Sequence, residues 1–257
     1  MKARLKYTKA GTMKFIGHLD VMRYFQKAFR RCGIDISYSQ GFNPHQLISF
    51  ASPLGVGLTS DGEYLDMQLE SSKSSKEMIA IINGAMNDEI QIVEFMQLPE
   101  KSKTAMSIVA AADYQISLKD GYTICEDFQQ KFQKFMEQEE IIITKKTKKS
   151  ETETNIKPYI YHYAFTAEEF AKRTNHHISS SIADQYHNHN KLFVQVSAGS
   201  VVNIKPNQIL EAFYAFMEHQ LEPFSYQYHR MELYADLAKE GEEHKFVTLG
   251  SLGTVLE

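Results

Sequence analysis

The spacing of apolar residues along the first hundred positions constrains the fold more than any other feature of this sequence. Residues 2–8 alternate between charged and apolar side chains, which predicts a strand with one solvent-exposed face. Residues 18–32 repeat apolar side chains at helical spacing and stop at Gly33, a residue type that commonly ends helices. Two strands, a second amphipathic helix at 75–86 and a closing strand at 89–95 follow. This β-α-β-β-α-β order is the ferredoxin-like pattern.

The second half repeats that order with one extra strand, although the two halves share no visible sequence identity. We therefore predict an α+β chain of two tandem ferredoxin-like (βαββαβ) units, each with an antiparallel sheet and helices on one face. The predicted boundaries are an N-terminal unit at 1–100, a C-terminal unit at 111–236 and a flexible tail at 237–257.

Composition and apolar run lengths predict a cytoplasmic protein without a membrane partner. The chain has 43% hydrophobic and 23% charged residues, which is ordinary for a globular protein. Its apolar runs are far too short to span a bilayer. Charges recur at every second or third position near the N-terminus, which does not match a signal peptide.

The cysteines argue against a metal centre. Neither Cys32 nor Cys125 belongs to a CxxC pair, so we expect no structural zinc and no iron–sulfur cluster held by this chain alone. A disulfide between them stays open, although a reducing compartment argues against it. We predict no cofactor and no bound metal.

The net charge of −4 conceals a strong asymmetry along the chain. Up to Gln46, nine Lys and Arg side chains stand against Asp20 and Asp35, a local charge of +7, so the remaining residues carry −11. A positive face on an acidic body is typical of a protein with an anionic partner.

Four of these cations lie on the first predicted helix and share roughly one face, and the neighbouring strand adds two more. A clustered basic stripe is typical of phosphate-backbone binding, whereas an isolated one is more often a solvated surface. Both interpretations stay open from the sequence. The predicted binding face consists of Arg4, Lys6, Arg23, Lys27, Arg30 and Arg31, with His18 and Asp20 at the start of the same helix.

The stretch YSQGFNPHQLISFASPLGVGL, from Tyr38 to Leu58, contains more turn-forming residues than a turn requires. One interpretation is a recognition loop whose backbone N–H groups approach a phosphate or a partner chain, helped by side-chain hydrogen bonds. A plain turn followed by a β-bulge is the alternative. The predicted recognition loop consists of Ser39, Gly41, Phe42, Asn43, Pro44 and His45.

Histidines, lysines and aromatic residues supply further candidates. His18 and His45 are candidate general acids or bases, because imidazole titrates near neutral pH. A histidine-rich loop suggests a metal, but so polar a loop offers no second shell to orient the ligands. Alternating aromatic residues on one strand indicate core packing or, alternatively, a platform for bases. These additional candidates are His162, His176, His177, His187, His189, Lys145, Lys146, Lys148, Lys149, Tyr159, Tyr161, Tyr163 and Phe165.

Residues 4–60 resemble the radical-SAM-linked protein family, an uncharacterised domain. The segments that carry the resemblance are RLKYTK, FIGHLDVMR, the helix end FRR, and SQGFNPHQLISF followed by PLGVG. The family pattern has Ser where this chain has Gly17 and Pro where it has Gln46. A looser similarity continues to Arg230.

The resemblance implies an accessory role. Members of that family are encoded beside, or fused to, a radical SAM enzyme, in neighbourhoods that often include ribonuclease and ribosomal-protein genes. It therefore implies a radical SAM enzyme as partner and tRNA or rRNA as candidate ligand. The chain lacks a CxxxCxxC motif, so it does not itself hold the cluster that cleaves SAM.

Three functions stay open from the sequence. The favoured one is a non-catalytic accessory protein of a radical SAM enzyme that binds RNA or the enzyme through its basic N-terminal face. The second is a metal-independent endoribonuclease with His18 or His45 as general base, and the third is a protein–protein adaptor without RNA contact. Paired ferredoxin-like units also occur in CRISPR RNA-processing endonucleases, which is an analogy of fold alone.

Overall fold

A computed structural model describes residues 1–146, 151–174 and 180–257 of the chain. Within them, strands form a large, mostly antiparallel sheet that is accompanied by six helices. The chain is therefore α+β, as the spacing of its apolar residues predicts.

The helices and strands are all short. None of the helices in the described part of the chain has the length and apolar character needed to cross a membrane. The bounds are β1 Lys2–Lys9, α1 His18–Cys32, β2 Ile48–Phe50, β3 Thr59–Gln68, α2 Ser75–Asn83, β4 Ile92–Leu98, α3 Ala105–Ile108, β5 Val109–Leu118, α4 Phe128–Glu137, β6 Ile142–Lys146, β7 Glu151–Asn155, β8 Ile160–Ala164, α5 Ala167–Thr174, β9 Lys191–Ser197, α6 Pro206–Phe216, β10 Tyr226–Asp236 and β11 Phe246–Thr248.

The first of two compact units contains residues 1–111 and 230–257. Its strands follow the order β4-β1-β3-β10, with β2 also paired to β3 and β11 paired to β10. β1 runs antiparallel to both neighbours, and Leu5 lies opposite Leu65 on one side and Phe95 on the other. From β1 to β4, the main elements follow the predicted order β-α-β-β-α-β.

The core of the first unit lies between its sheet and the helices α1 and α2. Phe25 and Phe29 of α1 and Ile82 of α2 are fully buried in one cluster with Leu5 of β1. α1 ends at Gly33, whose φ of 67° is a left-handed conformation that costs glycine little. The apolar stripe of α1 therefore faces the sheet and leaves its polar residues on the opposite face.

The second unit contains residues 112–229, and its strands follow the order β10-β5-β9-β8. Its helices α4 and α6 pack together through Phe132 and Phe213, whose ring centroids are 5.1 Å apart. The strand predicted at 141–147 corresponds to β6, which pairs with β7 in a separate two-stranded sheet.

The alternating aromatic residues around β8 contribute to the core of the second unit. The rings of Tyr163 and Phe165 lie 5.4 and 6.0 Å from that of Phe132. These contacts agree with the core-packing interpretation and leave these two rings unsuited to an exposed platform for bases.

The segment after residue 236 belongs to the first unit, which corrects both the predicted flexible tail and the predicted boundaries. β11 pairs with β10, and Thr254 exchanges two backbone hydrogen bonds of 2.8 and 2.9 Å with Gln97. The N–H of Leu256 donates to Oγ of Ser75 at 2.9 Å. Backbone groups make most of these contacts, so side-chain hydropathy gave no signal for them.

Gly62 marks a close approach between β3 and β10. A Cβ at this position would lie 2.4 Å from the carbonyl oxygen of Met231 and 2.7 Å from Cα of Glu232. Real Cβ atoms do not tolerate such distances to backbone, so only glycine fits.

We predict that Gly62→Ala lowers the free energy of unfolding by about 1–3 kcal/mol or more, because the strands must separate to admit the methyl group. Urea denaturation measures this change. Gly55→Ala is the matched control, since its Cβ would meet only Cδ1 of Leu58, at 3.5 Å. Equal unfolding midpoints for the two variants would contradict the close approach.

Candidate functional site

Arg4, a predicted phosphate contact, is an internal residue of the first unit, only 1% exposed. Its Nε donates to Oδ1 of Asp66 at 2.7 Å, and its Nη2 donates to Oδ2 at 3.0 Å. Its Nη1 donates to the carbonyl oxygen of Leu249 at 2.9 Å. This bidentate pair holds Arg4 inside the protein, so Arg4 is not part of an exposed binding face, contrary to the sequence prediction.

Lys6 is also engaged by the protein's own carboxylates. Its Nζ lies 2.7 Å from Glu232 and 3.6 Å from Glu94. Burial alone would lower the pKa of Lys6, but the two carboxylates more than offset it and raise that pKa. Lys6 is therefore a charged, internally paired residue and does not belong to the exposed face either.

His18 begins α1 and is partly covered. Its ring meets Phe50 edge-on, with centroids 5.1 Å apart. Burial lowers the pKa of His18, Lys9 lowers it further and Glu63 opposes both. This shift favours the neutral ring, which suits a general base but adds no positive charge for binding phosphate.

Below His18 lies a buried polar cluster. Arg230 Nε donates to Glu63 at 2.7 Å, and its Nη2 donates both to the other Glu63 oxygen and to the carbonyl of Ser52, the latter at 2.8 Å. Lys9 is 2% exposed, and its Nζ donates to the carbonyl of Ile16 at 2.9 Å. Glu63 and Arg230 satisfy each other, and a backbone carbonyl holds Lys9, so the cluster supports this end of the sheet.

The exposed cations lie on α1, on the face turned away from the core. We call this set the α1 basic face; it consists of Arg23, Lys27, Arg30 and Arg31. Asp20 is the only acidic residue of α1, and it pairs with Arg23 at 3.0 Å. In the described part of the chain, Lys27 and Arg30 have no ion-pair partner. The face therefore keeps a net positive charge.

The two flanks of α1 differ. On one flank, Tyr24 Oη accepts from the N–H of Asn87 at 2.7 Å, and Arg31 Nη2 donates to the carbonyl of Ala85 at 2.5 Å, so α2 and the chain after it lie there. On the other flank, Gln46 Nε2 donates to the carbonyl of Gln26 at 3.3 Å. Arg30 lies one turn after Gln26 on the helix surface and therefore neighbours the loop that immediately precedes Gln46.

That loop is closed by hydrogen bonds at its base. Oγ of Ser39 lies 2.8 Å from Nδ1 of His45 and accepts from the His45 N–H at 3.1 Å. The N–H of Ser39 donates to the carbonyl of His45 at 2.8 Å. Gly41 has a φ of 112°, which explains the glycine at the turn. We call residues 39–45 the recognition loop.

The tip of the recognition loop is exposed throughout. The exposed residues are Gly41, Phe42, Asn43, Pro44 and His45, and Phe42 is fully exposed to solvent. Phe42 therefore presents an uncovered aromatic ring on which a base or an apolar group of a partner can stack. The structure thus brings the predicted loop beside the predicted basic helix.

The part of the chain that the structure describes does not gather the other sequence candidates into a site. His162 stacks on Phe170 at 5.1 Å, and burial lowers its pKa. Among the residues that the structure describes, no three His, Cys, Asp or Glu side chains could hold a metal ion. Four of the candidates lie outside the described residues, namely His176, His177, Lys148 and Lys149.

The sequence prediction missed the acidic partners. Asp66 and Tyr64 lie opposite Arg4 and Lys6 in the register of β1 with β3. The alternation in β3 was a usable signal, because cross-strand neighbours on one face pair opposite charges. Glu232 and the carbonyl of Leu249 come from more than 200 residues away and left no local signal.

The chain matches a bacterial family over residues 2–206, and the family is described as "Uncharacterized protein conserved in bacteria (DUF2344)". The chain belongs to this family. The DUF2344 match includes α1, the recognition loop and Asp66, whereas Arg230, Glu232 and Leu249 follow it in sequence. No curated protein matches the chain.

The Arg4–Asp66 pair yields a stability prediction. We expect Arg4→Met to lower the free energy of unfolding by about 3–5 kcal/mol, because Asp66 would stay buried without its cation. Adding Asp66→Leu should recover most of that loss, since apolar pairs often replace buried ion pairs without cost. Arg23→Met, which breaks an exposed pair, should change it by about 1 kcal/mol at most. Equal effects of the two arginine variants in urea denaturation would show that the pair is not structural.

Proposed function

We propose that this protein is a non-catalytic accessory protein that binds structured RNA through the α1 basic face and the recognition loop. The observation that carries the proposal is the exposed charge of Lys27 and Arg30, which have no ion-pair partner among the described residues, on a helix that Gln46 ties to the end of the recognition loop. A phosphate backbone is the partner that such a face attracts, because each contact releases condensed counterions.

We also propose that a radical SAM enzyme of the cytoplasm is the partner, that tRNA or rRNA is the ligand, and that this chain delivers the RNA to the enzyme. The resemblance of residues 4–60 to the radical-SAM-linked family supports this part of the proposal. The absence of a CxxxCxxC motif in the sequence supports an accessory role.

We further propose that both units are ferredoxin-like and in tandem. The strand order β4-β1-β3, with β2 beside β3, supports this for the first unit. The order β10-β5-β9-β8 repeats it in the second, where β5, β8, β9 and β10 would correspond to β1, β2, β3 and β4. The hairpin β6–β7 and the helix α5 would then be insertions.

We predict that Lys27→Glu/Arg30→Glu weakens binding to bulk tRNA by roughly tenfold or more. The slope of the logarithm of the binding constant against the logarithm of the salt concentration should become shallower by about 0.7–0.9 for each lost phosphate contact. Fluorescence anisotropy over a series of salt concentrations measures both quantities.

Lys73→Glu/Lys76→Glu is the matched control, because it makes the same change of charge at exposed lysines outside the α1 basic face. If the two double variants bound tRNA equally well, the charge of α1 would not be the binding determinant and the proposal would fall.

Phe42 tests the loop separately from the charge. We predict that Phe42→Ala weakens RNA binding by about 1–3 kcal/mol, the contribution typical of one stacked base, while the unfolding midpoint stays unchanged. Phe42→Trp should retain binding, because the aromatic face is kept. Full binding by the alanine variant would remove the loop from the interface.

A protein–protein adaptor is the second candidate, favoured by exposed apolar side chains near the start of α1. Phe15 and Leu19 are 65% and 61% exposed. Co-purification with the enzyme that survives nuclease treatment and is lost in Leu19→Asp would favour the adaptor over RNA binding. An RNA-cleavage assay with His18→Ala and His45→Ala separates the endoribonuclease alternative from both.

A further inference from the structure

A cavity of about 220 Å³ opens in the first unit, between the recognition loop and the strands β2 and β3. Its polar lining includes Lys2, His45, Ser49, Asp66, Lys103 and Thr104. Leu47, Ile48, Met67 and Leu98 form the apolar part of the walls. The volume is below the usual range for drug-sized ligands and suits one flat ring system.

Asp66 supplies a fixed hydrogen-bond acceptor in this cavity. Arg4 donates to both of its oxygens, and the N–H of Ala105 donates to Oδ2 at 2.7 Å. One lone pair of Oδ1 remains after these bonds, and the side chain is still 12% exposed. Because Arg4 balances its charge, Asp66 presents an oriented acceptor rather than a free anion.

The rim of the cavity is cationic. Lys103 is exposed, and Lys2 donates to the carbonyl of Ser102 at 3.2 Å, which holds its ammonium group nearby. The Nδ1 atom of His45 faces Ser39, so Nε2 is the ring nitrogen left to meet a ligand. These groups suit an anion at the mouth, whereas Asp66 suits a donor inside.

We propose that this cavity accepts a single nucleotide of the bound RNA, with an exocyclic amine of the base donating to Asp66 and the phosphate lying against Lys103 and His45. Adenine, cytosine and guanine carry such an amine, and uracil does not. This inference rests on the proposed RNA-binding function, since His45 belongs to both the cavity and the recognition loop.

Calorimetric titration of the full chain with AMP, CMP, GMP and UMP tests the selectivity. The expected result is measurable binding of the first three and about tenfold weaker binding of UMP, from the lost hydrogen bond to a charged acceptor. Equal affinity for all four, or no binding of any, would overturn the role of Asp66 and with it the proposal.

Two variants test the location while leaving Arg4 and Asp66 themselves unchanged. Lys103→Glu should weaken binding of AMP about tenfold, whereas Lys101→Glu, equally exposed but outside the cavity, should change it less than twofold. Ser49→Phe should abolish binding by filling the cavity, since Ser49 lies opposite Asp66 in the register of β2 with β3. Unchanged AMP binding in Lys103→Glu or Ser49→Phe would overturn the proposal.

The two proposals fail in different ways. If the cavity is not a nucleotide site, mononucleotides do not bind while tRNA binding remains sensitive to Lys27→Glu/Arg30→Glu. If the α1 basic face is not an RNA surface, that variant leaves the affinity for tRNA unchanged, while Lys103→Glu still weakens AMP binding. Competition between AMP and tRNA in the parent protein would support a nucleotide site within the RNA interface. If AMP bound without competing with tRNA, the nucleotide in the cavity would not belong to the bound RNA.

Discussion

The buried pair between Arg4 and Asp66 organises the first unit. It joins β1 to β3, and it also fixes α3 through the N–H of Ala105 and the C-terminal segment through the carbonyl of Leu249. Four parts of the chain that are distant in sequence thus meet at one guanidinium–carboxylate contact. Since an unpaired charge at this depth is costly, the contact specifies which segments come together.

The Arg4–Asp66 pair also shows that the cations near the N-terminus have different roles. Seven of the nine cations before Gln46 fall into two groups. Arg4, Lys6 and Lys9 face acidic or carbonyl oxygens inside the protein and support the fold. The four cations of α1 are exposed, and because Asp20 is paired with Arg23, the helix keeps a net positive charge. Of these two groups, the second is the one available to an external phosphate.

Local pattern predicted most of the elements, whereas the sites depended on contacts that pattern does not reveal. The helical spacing that ends at Gly33 and the alternation in β1 gave α1 and the first strand correctly. The same alternation suggested a solvent-exposed face. The residues of β1 do not reveal that Asp66 and Glu232 cover this face, although the alternation in β3 was a usable signal for Asp66. The C-terminal segment was missed for a related reason, as its backbone bonds to Gln97 carry no hydropathy signal.

The sequence predicted the recognition loop in part. Its turn residues were visible in the sequence, and Gly41 explains one of them. Its position beside α1 depends on Gln46, which reaches the carbonyl of Gln26 across a gap of twenty residues. This single contact between a side chain and a backbone carbonyl is not part of the turn pattern, so the sequence did not predict it.

Ultraviolet cross-linking of the full chain to tRNA, followed by peptide mapping, tests the central claim most directly. The account predicts that cross-linked peptides contain residues of 23–46, with Phe42 among the sites, and that high salt removes them. Cross-links confined to residues 112–229, or cross-links that persist unchanged in high salt, would contradict an RNA surface built from α1 and the recognition loop.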